Sequence, residues 1–324
     1  MPTDCYFSPE KKNKYMLENT DFINYMSTWA DRLEQEGRYG TAHVYRFALR
    51  HLRTYCNNRP FRFSDLTPCW LSKFQTYLLE RRLSWNTVST YLRMIRAVYQ
   101  RGVDQGLANY RPRLFHGVYT GSRPGHKRAL HESSLRVLVS NPQSIPRLEK
   151  ARQLFLLLFA LRGIPFVDIA YLRSCDLQDG VLSYRRRKTG TCLRVRLEPW
   201  ATSLLRHFQS TDSSSPFLFP FVRREGAEGY REYQNSLRMF NRDLRQLGIR
   251  YGLPNRLSSY SARHSWATLA NCKNFQHELI RDAMGHSSVK VTETYFKCHT
   301  DEQIDEMNKE LLNMLFLSDR RKES

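Results

Sequence analysis

The feature that most restricts this chain is the spacing of apolar residues between Asp21 and about Leu107. They recur three and four positions apart, so each group lines one face of a helix. Phe22, Tyr25, Met26, Trp29 and Leu33 form the first row. Gly37 and Gly40 predict a turn, and Val44, Phe47, Ala48, His51, Leu52 and Tyr55 predict a second helix. Thr67-Pro68 reads as an N-cap followed by proline at the first helical position, where its missing N–H has no partner to lose. It opens a third helix with Leu71, Phe74 and Leu78 inward. A fourth runs from Asn86 to about Gly106, burying Val88, Tyr91, Leu92, Ile95, Val98 and Tyr99. Its outer face carries Arg93, Arg96 and Arg101, which suit either a solvated surface or contact with a polyanion. Residues 1–20 read as a polar lead-in and 21–108 as one helical domain.

Residues 109–128, NYRPRLFHGVYTGSRPGHKR, have no period and mix proline, glycine and basic side chains. They predict an extended basic linker, with Arg123, Lys127 and Arg128 able to follow a nucleic-acid backbone. A second domain, 129–300, begins with a strongly apolar helix, RQLFLLLFALRG, that ends at Arg162-Gly163. A shorter helix with Val167, Ile169 and Leu172 inward follows. Leu182 and Tyr184 then alternate on one side of Lys-Thr-Gly, and Leu193, Val195 and Leu197 on the other, which predicts a β-hairpin. Helices are expected near 200–208 and 232–247 and onward to Tyr295. After it, Ile304, Met307, Leu311, Leu312, Met314 and Leu315 form an apolar stripe opposite acidic residues. Residues 301–324 therefore suit a helix that packs on its own domain or on a second copy.

A chain of 324 residues has room for two cores. Its charge narrows the partners. There are 51 Lys and Arg against 31 Asp and Glu, net +20, with a pI near 9.9. That balance favours a nucleic acid, with an anionic membrane surface as the weaker reading. Residues 1–128 carry 21 basic against 10 acidic residues and the rest 30 against 21, so no basic tail bears the charge and both halves share it. Seven cysteines, an odd number without C-x-x-C spacing, suggest neither a disulfide framework nor a zinc site, and a reducing cytoplasm is the expected compartment. The N-terminus has no apolar signal segment, and the run Leu154 to Leu161 is too short to cross a bilayer.

Three segments carry candidate chemistry: ALRGIPFVDIAYL with Arg162 and Asp168, RRRKTG with Lys188, and YSARHSWAT followed by AMGHSSVKVTETYF, with Tyr260, Arg263, His286 and Tyr295. Each has an ordinary explanation alone. A cation offsets a helix C-terminus, a turn lysine is solvated, a histidine after glycine ends a helix, and a tyrosine packs. In this order the motifs resemble the tyrosine recombinases, the phage-integrase type of site-specific recombinase. That family has an arginine after an apolar helix, a hairpin lysine, H-x-x-R, G-H and a final tyrosine. Arg162, Lys188, Arg263, His286 and Tyr295 match in turn, with Asp168 at the usual acidic position. NTVSTYLRMIRAVYQRG, residues 86–102, is similar to the family's core-binding domain, so the likeness runs from about Asp21 past Tyr295. One position departs: Tyr260 stands where the family has histidine. A phenol can donate to a phosphate oxygen but is a poor general base near neutrality.

The resemblance implies a mainly α fold with a small β-sheet or hairpin: a helical, SAM-like core-binding domain and a mixed α/β catalytic domain that together clamp double-stranded DNA. It implies Tyr295 as nucleophile through a 3′-phosphotyrosyl link, Arg162 and Arg263 on the phosphate, Lys188 as general acid and His286 as a donor, with no cofactor or metal. Four protomers on two paired sites are expected, in the cytoplasm on the nucleoid. The chain leaves no room for a further arm-binding domain, which favours DNA inversion or resolution, with integration of a mobile element close behind. Two rivals remain: type IB topoisomerase-like relaxation, and a non-catalytic DNA-binding regulator. Retention of a nucleophile argues against the second.

Overall fold

The computed structural model describes residues 21–123, 129–212, 214–253 and 256–286. They form two compact units, one reaching Gly125 and the other beginning at His126.

The first unit is built on α1 (Phe22–Gln35), α2 (Tyr39–Tyr55), α3 (Pro68–Glu80) and α4 (Trp85–Asp104). Short polar residues start three of them. Asp21 accepts the Asn24 N–H at 3.0 Å, Thr67 that of Trp70 at 3.1 Å and Ser84 that of Thr87 at 3.2 Å. Each satisfies a donor that the helix itself leaves unpaired. Helix α2 begins without a side-chain cap at Tyr39, so Gly40 lies in its first turn, and Gly37, with φ +71°, makes the bend. Phe22, Met26, Leu52, Leu71, Phe74, Leu78, Leu92 and Ile95 are fully buried at the centre. On α2 the buried row is Ala42, Tyr45, Ala48, Leu49 and Leu52, whereas Val44, Phe47 and Tyr55 only flank it. The expected row shared Ala48 and Leu52 with it but took in the large flanking side chains in place of Ala42, Tyr45 and Leu49.

Residues 109–123 are not the expected extended linker. They fold back on this unit. Leu114 and Val118 enter its core. The Tyr99 hydroxyl donates to the Asn109 carbonyl and accepts the Arg111 N–H, both at 2.8 Å. Gln75 accepts the Tyr119 N–H at 2.7 Å, and the Asn86 amide pairs with both backbone groups of Arg123 at 2.8 and 2.9 Å. Irregular backbone satisfied by side chains of α3 and α4 leaves no period to read.

The second unit contains α5 (Glu132–Ser140), α6 (Pro146–Ala160), α7 (Phe166–Ala170), β1 (Leu177–Gln178), β2 (Val181–Arg185), β3 (Cys192–Arg196), α8 (Pro199–Phe208), α9 (Gly226–Arg250), α10 (Ser259–Cys272) and α11 (His277–Met284). Helix α6 buries Leu148, Ala151, Leu154, Phe155, Leu157 and Leu158, so its apolar side chains face in several directions. Such a helix needs cover all round, and α8, α9 and α10 supply it. The strands form one antiparallel sheet in the order β1-β2-β3, with Leu182 opposite Val195 and Tyr184 opposite Leu193 on the buried face. Strand β1 was not foreseen, being two residues long. Helix α9 starts at Gly226, ahead of the expected Glu232. Helix α7 stops at Ala170, so the buried Leu172 lies beyond it. Among the described residues no helix is long and apolar enough to cross a membrane.

Replacing Tyr99 by Phe strips both the Asn109 carbonyl and the Arg111 N–H of their partner. Stability should fall by about 1–2 kcal/mol, read from the urea midpoint; an unchanged midpoint would mean that the two Tyr99 hydrogen bonds add nothing to the unit.

Candidate active site

Helix α6 ends in a left-handed pair, Arg162 at φ +57° and Gly163 at φ +68°. The Ile164 N–H then returns to the Leu158 carbonyl at 3.2 Å, closing the helix end. The second residue must be glycine twice over: its φ is left-handed, and a Cβ there would sit 2.6 Å from the Arg263 Cα. The first is arginine in a conformation that costs a residue with a Cβ roughly 1 kcal/mol. Among the described residues the Arg162 guanidinium has no hydrogen-bond or ion-pair partner.

Arg263 projects from the first turns of α10, whose start is tied to α9 by a 2.8 Å bond from the Ser259 N–H to the Asn241 side chain. Arg263 is 1% exposed. A charge so buried needs acceptors. Nη1 donates to the Gly163 carbonyl at 2.9 Å and Nη2 to the Met284 carbonyl at 2.6 Å. The latter is at the C-terminal end of α11, where unpaired carbonyls and the helix dipole favour a cation. Gly285 caps α11 at φ +63° and turns the chain so that His286 comes back to Arg263.

The contact from Arg263 Nη2 to His286 Nε2 is 2.8 Å. A guanidinium has only donors, so Nε2 accepts and the ring proton sits on Nδ1, which makes the other edge of the imidazole a donor. Burial, then the nearby Arg263, Arg186 and Lys188, holds the His286 pKa down to about 3. The ring is therefore neutral at physiological pH.

Asp168, on α7, is 3% exposed. Its Oδ1 accepts the Arg187 N–H at 2.9 Å and its Oδ2 lies 3.3 Å from Arg186 Nε. It thereby anchors the turn between β2 and β3 that carries the exposed Lys188. Arg186, buried and absent from the sequence-based candidates, extends its Nη1 to the carbonyls of Met284 and Gly285, both at 3.0 Å. A signal for it existed. The alternation that buries Leu182 and Tyr184 reaches position 186 if carried one step further.

The structure thus gathers Arg162, Asp168, Arg263, His286 and the Lys188 turn around the end of α11. Tyr260, in the first turn of α10, is 40% exposed, with its ring 4.9 Å from that of His264. In the first unit Arg93 and Arg96 are exposed. Two other candidates there are engaged within the fold. Arg101 bonds to the Tyr45 hydroxyl at 3.0 Å and stacks on Trp29, and Arg123 stacks on Trp85 at 4.0 Å. Tyr295, Lys127 and Arg128 lie outside the described residues. A second feature missed in the sequence is a hollow on α9 lined by Arg238, Asn241, Arg242 and Arg245. Their i, i+4, i+7 spacing was legible, but it resembled any solvated helix face.

Residues 21–116 match the phage integrase SAM-like domain and residues 129–302 match the phage integrase family. The chain belongs to the phage integrase family. Over 187 residues it is 24% identical to the tyrosine recombinase XerA of Pyrococcus furiosus, a match covering 56% of this chain and 62% of that one. The chain thus spans less than two thirds of that relative. Among solved structures it is similar to a lambda integrase dimer bound to a COC′ core site, with a TM-score of 0.63, 15% identity, and coverage of 90% of this chain and 81% of that. Lambda integrase as a tetramer bound to a Holliday junction gives 0.59 at 14% identity, covering 88% and 83%. The Tn1549 transposon integrase in complex with circular intermediate DNA gives 0.60 at 16% identity, covering 89% and 99%.

The neutral His286 has a consequence for stability. In the unfolded chain the ring takes up a proton below its ordinary value of 6.5, while in the fold it stays neutral down to about 3. Between those values the unfolded state binds more protons. Its contribution is therefore fully present above 6.5 and is lost as pH falls toward 3. Taken from about pH 7 to about pH 5, a His286→Gln variant should lose less stability than the parent, measured by urea midpoints. Equal losses would contradict the assignment.

Proposed function

We propose that this chain is a site-specific DNA recombinase that breaks and rejoins strands through a 3′-phosphotyrosyl link to Tyr295. The observation that carries the reading is the convergence of Arg162, Arg263, His286 and the Lys188 turn from four separate segments onto the end of α11. Family membership supports it. Arg162, left-handed and without a partner among the described residues, acts on the non-bridging oxygens of the scissile phosphate, and the buried Arg263 adds its charge beside it. Permanent, oriented positive charge stabilises the pentavalent transition state without reorganisation. His286 donates from Nδ1. Tyr295 attacks phosphorus, the bond to the 5′-oxygen breaks, and Lys188 gives that oxygen its proton. A 5′-hydroxyl from the partner duplex then reverses the chemistry. Tyr260 contributes at most a hydrogen bond to phosphate. Asp168 supports the turn.

Duplex DNA is the substrate, met by exposed Arg93 and Arg96 and by the basic residues up to Lys127 and Arg128, in keeping with the net charge of +20. Arg101 and Arg123 contribute through their stacked edges. The protein acts in the cytoplasm on the nucleoid, and four protomers pair two sites. Inversion, resolution or integration then follows from how those sites are arranged. A largely apolar groove of about 460 Å³, lined by Phe159, Trp266, Phe275 and Leu279 together with Arg162 and Lys273, offers a seat for the apolar stripe of residues 301–324 of a neighbouring protomer. Phe275 and Leu279 are more than half exposed there, 54% and 56%.

Two experiments test this. A nicked duplex carrying the repeats beside the gene, incubated in EDTA, should give a covalent adduct on a denaturing gel with the parent and none with Tyr295→Phe. Equal binding by both without any adduct would instead favour a DNA-binding regulator. Deleting residues 301–324 should leave single-site binding intact and abolish synapsis in a native gel; synapsis that survives the deletion would remove the exchange of this segment.

A further inference from the structure

Arg186 makes contacts that none of these roles uses. Its side chain is 6% exposed at the base of the β2–β3 turn. One edge faces Asp168 on α7, and the other reaches the Met284 and Gly285 carbonyls at the end of α11. The Met284 carbonyl is the same atom that receives Arg263. The approach is close enough that a Cβ on Gly285 would sit 2.8 Å from the Arg186 Cδ. Thr189, one residue past Lys188, adds a long contact of 3.4 Å to the Gly285 carbonyl. Its Nε and Nη1 are committed to these acceptors, and the side chain is 6% exposed. A planar fork serving three acceptors on two elements fixes the distance and the angle between them.

We propose that Arg186 is a positioning residue for strand cleavage: it locks the Lys188 turn to the end of α11, so that the proton donor for the leaving oxygen is held in register with Arg263 and His286. The inference rests on the reading of Lys188 as the general acid and goes beyond it, because Lys188 is exposed at a turn and has no hydrogen-bond partner of its own among the described residues. An exposed lysine sweeps many rotamers. Anchoring the chain just before it, through the Arg187 N–H to Asp168 and the Arg186 side chain to the end of α11, with the long Thr189 contact just after it, confines the volume in which its ammonium group is found.

The test separates proton donation from other effects. When cleavage breaks P–O, the departing 5′-oxygen needs a proton. When a 5′-bridging sulfur replaces that oxygen, P–S breaks and the thiolate leaves unaided. Arg186→Met, Arg186→Lys and Lys188→Met would be compared on nicked duplexes of both kinds, with DNA affinity and melting temperature measured alongside. Arg186→Met should bind DNA like the parent and cleave the oxygen duplex about 10²-fold more slowly, as expected when a general acid is misplaced. The sulfur duplex should restore most of that loss, as it should for Lys188→Met. Arg186→Lys keeps the charge but has one ammonium for three acceptors. It should show the same pattern more weakly, and it serves if the Met variant does not fold. Parental cleavage of the oxygen duplex by a folded Arg186 variant would overturn the proposal. So would rescue by sulfur of Lys188→Met but not of the Arg186 variants. If sulfur rescues neither, the Lys188 reading falls and the proposal with it.

Discussion

A guanidinium that is 1% exposed can persist only where the fold provides acceptors in its own plane. Arg263 finds them in two main-chain carbonyls, one just past the end of α6 and one at the end of α11. Much of the second unit is arranged to make this possible. Helix α6 must stop in a left-handed turn to offer the Gly163 carbonyl, and that turn also carries Arg162. Helix α11 must stop in another, at Gly285, and that turn brings His286 within 2.8 Å. Both glycines are held to their identity by backbone conformation and by a neighbour that would collide with any Cβ. The site is thus a consequence of where two helices end.

The electrostatics follow from the same construction. Burial, and then three nearby cations, would make a protonated imidazole costly, so His286 is neutral, and because Nε2 accepts from Arg263 its proton sits on the Nδ1 edge. Of the cations around the end of α11, Arg162 and Lys188 have no hydrogen-bond partner among the described residues. Arg263 and Arg186 are largely spent on main-chain carbonyls and Asp168. They shape the field while making the framework rigid.

Much of this was legible in the sequence, and the omissions have physical reasons. Period-3.6 rows located α1, α3 and α4 because one face of each is buried, and the Thr67-Pro68 cap fixed a start. The hairpin was legible because Leu182, Tyr184, Leu193 and Val195 alternate across a turn. Residues 109–123 were misread because their folding depends on side-chain to main-chain bonds from Asn86, Tyr99 and Gln75, which have no periodicity. The positions of Arg162, Asp168, Lys188, Arg263 and His286 were reached by resemblance, and their convergence needed coordinates. Arg186 was passed over because a run of three arginines beside a lysine looks like a solvated turn. Its burial is paid in hydrogen bonds to groups about 20 and 100 residues away in sequence.

The atom on which two of these arginines meet belongs to no side chain. Met284 contributes its carbonyl oxygen, while its own side chain packs with Ala267 and Ile280. A survey that replaces residues one at a time would register position 284 as an ordinary core site and miss the junction altogether. No codon specifies it. Only a change to the main chain, such as an ester in place of the amide, could weaken it selectively. Inheritance protects the junction indirectly, through whatever keeps α11 ending where it does.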